Sequence, residues 1–353
     1  MLSRLVEFSL TQRVFTLLVA FAIAALGSYA FRTIPIDAFP NISPVQVKLI
    51  MKAPGMTPEE VETRVIAPLE MELLGIPGQT VLRSMAKYAV ADITLDFNDS
   101  TDIYWARQQV AERLSGVRGD LPESVTGGLA PVSTPLSDVF MFTIEGGDLS
   151  LAERRSLLDW TIRPALRTIP GVADVNALGG YVRTFEVIPD NTAMAAAGLS
   201  VTQLAQAIQA GNSNDGAGRI SEGEKALVVR AQGAVQTPSD LAQIVLKMTN
   251  DRVLRVGDIA RVQIGSLTRY GAVTRDGESE TVQGLVLSLR GADASSIVED
   301  VRSRIAELQA GLPEGVRIET FYDRSDLISR AVGTVQEALL EATVLVVVLL
   351  FLF

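Results

Sequence analysis

Two apolar runs near the ends of the chain constrain its fold more than any other feature. Val14 to Phe31 carries no charged residue, and its roughly 18 positions approach the ~20 that a helix needs to cross ~30 Å of hydrocarbon. The run reads as an uncleaved membrane anchor. A cleaved signal peptide is the alternative, but the run is long for one, and Arg32-Thr33 stands where a small-x-small cleavage pattern belongs. Arg4 and Arg13 precede the run and a very long segment follows it, so the positive-inside tendency places the N-terminus in the cytoplasm and the body outside. At the other end, Ala342 to Phe353 (ATVLVVVLLFLF) is wholly apolar. A buried core helix could be this short, yet it would strand the chain terminus in apolar surroundings. The expectation is a second membrane helix that begins near Ala338 and is cut short by the chain end. Glu341, at the start of that run, reads as an interfacial flank rather than a proton relay.

The whole chain of 353 residues is 48% hydrophobic with a positive mean hydropathy, which fits a soluble body with few spans. The formal charge is -10 and no basic stretch offers a phosphate-neutralising footprint, so nucleic acid is not an expected partner. The chain has neither cysteine nor histidine. That excludes disulfides, thiolate or imidazole metal sites, and every Ser/His/Asp or Cys/His catalytic arrangement. No Walker-type phosphate loop exists, and no cofactor is expected.

The body repeats one grammar. After the extended, proline-rich IPIDAFPNISP, Val45 to Lys52 alternates as a strand, Pro54-Gly55 turns, and Thr57 opens a helix with Pro58 first and Glu60 three residues past the cap. Ile76-Pro77-Gly78 breaks this helix near Leu74. Strands follow at Thr80 to Lys87 and Ala89 to Phe97, then a helix from Thr101 to Leu114 with Asp99, Thr101 and Asp102 at its start. The pattern returns as strand Val139 to Glu145, helix Ser150 to Thr168 with a kink expected at Pro164, breaker Ile169-Pro170-Gly171, and a strand through Val175. It returns again as strand Thr281 to Arg290, helix Ala294 to Ala310, breaker Leu312-Pro313 and strand Val316 to Tyr322. Gly127-Gly128 and Gly179-Gly180 read as turns. Paired split βαβ units of this kind make an α+β fold of two ferredoxin-like sandwiches. The interval 182–272 departs from the rhythm: strand Thr184 to Pro189, helix Val201 to Ala210, then GNSNDGAGRISEGEK and the strand-like Ala226 to Gln232. It reads as an inserted domain with a two-stranded, polar-tipped arm. A loose surface loop is the alternative.

PIDAFPNISPVQV, APGMTPEEVE, TDIYWARQQVAERL, SLLDW with IRPALRTIPGVADVNALGG, and YDRSDLI, set in order between two apolar runs, resemble the heavy-metal efflux branch of the resistance-nodulation-division superfamily across essentially the whole chain. The resemblance implies an inner-membrane homotrimer, driven by protons, that works with a periplasmic adaptor and an outer-membrane channel. It implies a first membrane helix in 1–33, a first porter subdomain at 34–135, a second at 136–181 and 273–330, the N-terminal half of a docking domain at 182–272, and the start of a second membrane helix at 331–353. The arm at Gly211 to Lys225 would reach a neighbouring protomer, through Asn212, Asn214 and Asp215. The helix Thr101 to Leu114 would face the trimer axis through Thr101, Trp105 and Gln108.

For a metal cation the resemblance points to the cleft between porter subdomains, lined in this chain by Asp138 to Ile144. Asp138 offers hard oxygens suited to zinc or cobalt, and Met141 a soft sulfur suited to copper(I) or silver. Adjacent strand residues alternate, so these two share a face only if a bulge intervenes. The competing readings are a cap or surface role for Asp138 and core packing for Met141. Arg83 lies where related pumps have a channel wall, although a charge on a solvated face is the simpler reading. Met51, Met56, Met71, Met85, Met194 and Met248 read as core. A multidrug pump, with a cleft paved by aromatics such as Phe140 and Phe142, is the nearer alternative, though aromatics total only 6%. A membrane-anchored periplasmic binding or scaffold protein is the more distant one.

Overall fold

A computed structural model describes residues 8, 11–33, 42–222, 225–249 and 252–352, and the side chains of all these except 31–33, 215–232, 249 and 252. The chain divides into two compact units, one of residues 1–145, 161–177 and 283–353, the other of 146–160 and 178–282.

Helix α1 (Arg13–Thr33) covers the first apolar run and is long and apolar enough to cross a bilayer. Beyond the proline-rich link, β1 (Val45–Lys52) begins a sandwich. It buries Val45, Val47, Leu49 and Met51 and turns the alternate residues outward. Helix α2 (58–73) packs on that face through Val61, Val65, Leu69 and Leu73, one per turn. Thr57 and Glu60 close a reciprocal capping box at its start. Inside it, Glu62–Ile66 widens into a π-helical turn in which the Ala67 N–H reaches back to the Glu62 carbonyl, immediately before Pro68. A proline there has no N–H and collides with the carbonyl four residues back, and the widened turn makes the room. Strands β2 (Gln79–Lys87) and β3 (Val90–Phe97), helix α3 (Ile103–Val117) and β4 (Thr126–Leu129) complete a sheet of order β2-β3-β1-β4. Ala106, Val110, Leu114 and Val117 of α3 join the same core.

Two expectations change here. Thr101 lies outside the helix, because Asp102 is the cap that accepts the Trp105 N–H at 2.8 Å. Gly127 and Gly128 belong to a strand rather than a turn: they pair with Met51 and Ile50. Gly127 has φ 129°, and a Cβ there would stand 2.3 Å from the Ile50 carbonyl oxygen. A close backbone approach requires this glycine.

Strand β5 (Asp138–Gly146) leads to α4 (151–166), again opened by a capping box, Ser150 with Glu153. Again a π-helical turn, Leu158–Ile162, precedes a proline, Pro164. The kink expected at Pro164 is therefore a widened turn. Strand β6 (Val172–Gly179) follows, and the chain leaves the pattern. The interval contains β7 (Arg183–Pro189), α5 (Asn191–Ala197), α6 (Val201–Gly211), the antiparallel pair β8 (Asn214–Glu222) and β9 (Lys225–Gln232), α7 (Pro238–Ala242), β10 (Val245–Thr249), β11 (Arg252–Arg255), α8 (Val256–Ile259) and β12 (Ala260–Ser266). Met194, Leu204, Leu241, Ile244, Val256 and Ile259 form its core, while β12 and β7 pair along their full lengths.

After the short β13 (Val273–Arg275), strand β14 (Ser279–Ser288), helix α9 (Ala294–Gln309) and β15 (Val316–Asp323) finish a second sheet. Its order is β13-β14-β5-β15, with β6 also paired to β14. Without β13, that is the order of the first sheet: second, third, first, fourth. The chain then continues as α10 (Arg324–Leu352), long and apolar enough to cross a bilayer. It begins 14 residues before the Ala338 start that hydropathy suggests, because its first turns are polar.

Candidate functional site

Asp138 and Met141 share a face of the second sheet. Along β14, Leu285 opposes Met141 and Leu287 opposes Asp138, with a register shift between Val286 and Leu287 that leaves Val139 without a partner. Leu285 and Leu287 are two apart on a regular strand and point the same way, so their cross-strand partners do too. The extra residue is a β-bulge. The condition for pairing a hard oxygen with a soft sulfur is met, and both side chains are half-buried, whereas Val139, Phe140 and Phe142 are wholly buried. The Phe140 and Phe142 rings lie 6.3 Å apart, and Gly284 leaves the space that the Phe142 ring fills. Burial pushes the Asp138 carboxyl above its ordinary pKa, and the charge of Arg324 pulls it the other way. Among the described residues no three acidic side chains converge to coordinate a metal ion.

Arg83 stands in the first sheet, on β2, where its guanidinium meets the Asp96 carboxylate at 2.9 Å. Gln46 donates to the other oxygen of Asp96 at 2.8 Å. Asp96 is buried and Arg83 exposed, so the pair satisfies a buried carboxylate. Of the residues expected at a trimer contact, Trp105 and Gln108 are exposed on one side of α3 beside the exposed Tyr104. Thr101 is half-buried, its hydroxyl in the space where a Cβ on Gly78 would fall. Asn212 and Asn214 fasten the base of the β8–β9 ribbon: the Asn212 amide oxygen accepts from Val235 N at 2.8 Å, and that of Asn214 from Gly233 N and Ala234 N at 3.1 Å each. Asp215 pairs through its backbone with Ala231, and its side chain lies outside the described residues. Met51, Met56 and Met194 are buried as expected, but Met71, Met85 and Met248 are more than half exposed, so core packing does not account for those three.

Sequence reasoning missed Arg324. It is 3% exposed, starts α10, and donates from Nη1 to the Leu136 carbonyl. It also missed Arg290, which donates to the carbonyls of Pro44 and Ser43 in the link that follows α1. The arginine in YDRSDLI stands in the polar first turns of α10, well before the apolar run, and no local pattern marked it as buried.

Apolar helices at both ends of a body built from two like-ordered antiparallel sheets match a known class of transporter over almost the whole chain. Residues 5–353 match the AcrB/AcrD/AcrF family, and the chain belongs to it, among the resistance-nodulation-division efflux transporters. Its relatives include the cobalt-zinc-cadmium resistance protein CzcA of Cupriavidus metallidurans, 37% identical over 100% of this chain and 34% of that protein. Another is the cation efflux system protein CusA of Escherichia coli, 35% identical over 100% of this chain and 34% of the relative. The crystal structure of a heavy metal efflux pump superposes with a TM-score of 0.89 at 32% identity, over 99% of this chain and 35% of that one. The chain thus spans about a third of the length of the relatives it matches.

Proposed function

We propose that this chain serves a bacterial inner-membrane transporter that exports heavy-metal cations by proton antiport, as a homotrimer joined to a periplasmic adaptor and an outer-membrane channel. In this reading α1 and α10 cross the bilayer. Residues 34–135, and 136–181 with 273–330, are porter subdomains, while 182–272 is half of a docking domain whose β8–β9 ribbon meets the neighbouring protomer. Trp105 and Gln108 of α3 face the trimer axis. Asp138 and Met141 line the cation path. The bulge that sets a carboxylate and a thioether on one face of β5 carries the reading, since such a pair serves hard and soft cations alike. The burial of Phe140 and Phe142 favours metal over bulky organic substrates, because neither ring is available to pave a cleft.

The test is growth of cells carrying the complete transporter, challenged with zinc, cobalt, copper or silver salts and, separately, with dyes and detergents. Asp138→Asn should lower tolerance to zinc and cobalt, and Met141→Leu tolerance to copper and silver. Protection against dyes alone sinks the metal assignment, and full metal tolerance in both variants removes these residues from the path.

A further inference from the structure

The acidic side chains of α2 and α4 differ in what they meet. In α4 both are engaged, Glu153 in the cap and Asp159 with Arg155 at 2.8 Å. In α2, Glu60 serves the cap and Glu72 meets Arg113 at 3.6 Å, but among the described residues no side chain pairs with the carboxylates of Glu59, Glu62 and Glu70. These three line one groove of about 450 Å³ between α2 and β2. Because β2 is an edge of its sheet, no strand covers the groove's outer side. Ile66 lies between Glu62 and Glu70 along the helix, in the widened turn, and Met85, more than half exposed, adds apolar surface from the strand. Ser84, on the same strand wall, holds its hydroxyl oxygen out of reach of water and without a hydrogen-bond partner. An orphaned buried hydroxyl is costly, and like charges along one helix face repel one another. A ligand that relieves both carries positive charge and donates hydrogen bonds.

The shape of the charge narrows the class. Among the described residues no three acidic side chains converge to hold a metal ion. Glu62 and Glu70 are separated by about 12 Å of helix at ~1.5 Å per residue, with Ile66 between them. A point charge reaches one end of such a groove, and an extended cation with an aliphatic middle reaches both. We propose that the groove binds an aliphatic polyamine of the length of spermidine. One terminal ammonium sits on Glu59 and Glu62 and the other on Glu70, the methylenes cover Ile66 and Met85, and the inner ammonium donates to Ser84 Oγ. This site uses neither Asp138 nor Met141 and does not depend on the metal reading.

Calorimetric titration of spermidine into the full chain in phosphatidylcholine nanodiscs, with empty nanodiscs as the blank, tests this. Glu62→Gln and Glu70→Gln should each weaken binding by about ten-fold, the scale of one hydrogen bond to a charged group. Ser84→Ala should weaken it by about three-fold. Glu123→Gln, which removes an exposed carboxylate outside the groove, should bind as the parent does. Propane-1,3-diamine, too short to span the groove, should bind about ten-fold more weakly than spermidine, and E70Q should not weaken it further. Equal affinity for the two amines, or displacement of spermidine by an equal concentration of magnesium, would show that the groove does not select for length and would overturn the proposal. So would an equal loss in E123Q and E70Q, which would reduce binding to the general attraction of an acidic surface, and so would an absence of binding by the parent.

Discussion

The sheet of β1 to β4 and the sheet of β5, β6, β14 and β15 follow one plan, yet only the first is continuous in sequence. Between its second and third strands the first sheet has a two-residue turn, Tyr88-Ala89, with Ala89 at φ 61°. The second sheet has residues 180–278 in the same place. Neighbouring antiparallel strands bring those two chain ends together, so a long excursion can replace a tight turn without disturbing strand order, and closure entropy grows only slowly with length. The excursion departs and returns zipped: Leu267 N donates to Val182 O at 3.0 Å, and Arg269 grips Glu280 with two hydrogen bonds while lying 4.2 Å from the Tyr181 ring. Gly180 is confined there, at φ 64°, because a Cβ would come within 2.9 Å of the Leu151 carbonyl oxygen.

Gly127 in the first sheet and Gly284 in the second both leave no room for a Cβ, for different reasons, and substitution separates them. Gly127→Ala forces a Cβ against backbone at a φ hostile to L residues, and should cost roughly 2–4 kcal/mol. Gly284→Ala meets the Phe142 ring at 2.2 Å, a side chain that can shift, and should cost about 1–3 kcal/mol. Thermal unfolding of the two variants ranks them. Equal losses would mean that the Phe142 ring is as immovable as the backbone.

Helices with strong punctuation were legible in the sequence, and so was the repeat that orders the two sheets. The T-P-E-E and S-L-A-E starts, the x-Pro breakers and the alternation of Val45 to Lys52 each state a local preference that the tertiary structure obeys. What escaped had weak or misleading local signals. TGGL is a poor strand by propensity and pairs only because β1 presents an open edge beside it. The first turns of α10 are polar, so hydropathy finds only its second half. Two short helices in the insertion, α5 and α7, were not expected although their caps are written plainly: Thr237-Pro238 with Asp240 repeats the cap of α2, and Asp190 and Gly198 bracket α5. At the candidate site, residue types were readable but their common face was not, because a single unpaired residue at Val139 decides it and no pattern in FMFT marks a bulge.

The caps offer a sharper comparison. Both sheets open their first helix with a capping box, at Thr57 and Ser150, and their second with an aspartate, at Asp102 and Asp293. Thr57→Ala and Ser150→Ala should each lower stability by about 1 kcal/mol. Standing on different helices with no shared partner, they should add in the double variant. Thermal unfolding of the singles and the double checks this, and a double-variant loss well short of the sum would show that the two first helices are energetically coupled.

The smallest effect is electrostatic and local. At Ser150 the hydroxyl and then the backbone N–H hydrogen-bond to the Glu153 carboxylate, and with a lesser pull from Arg183 they lower its pKa. A lowered carboxylate contributes stability that is fully present above its unfolded value, ~4.3, and is lost as pH falls through the folded value. In the insertion, Asp240 is lowered likewise, by the N–H of Gln236 and the cap of Thr237. Ser150→Ala should therefore raise the Glu153 midpoint toward the ordinary value, followed by carbon-13 NMR of the side-chain carboxyl, while the Asp240 midpoint stays where it is. A Glu153 midpoint that does not move would transfer the cause from the serine hydroxyl to the backbone N–H of residue 150, which the substitution leaves in place, and to Arg183.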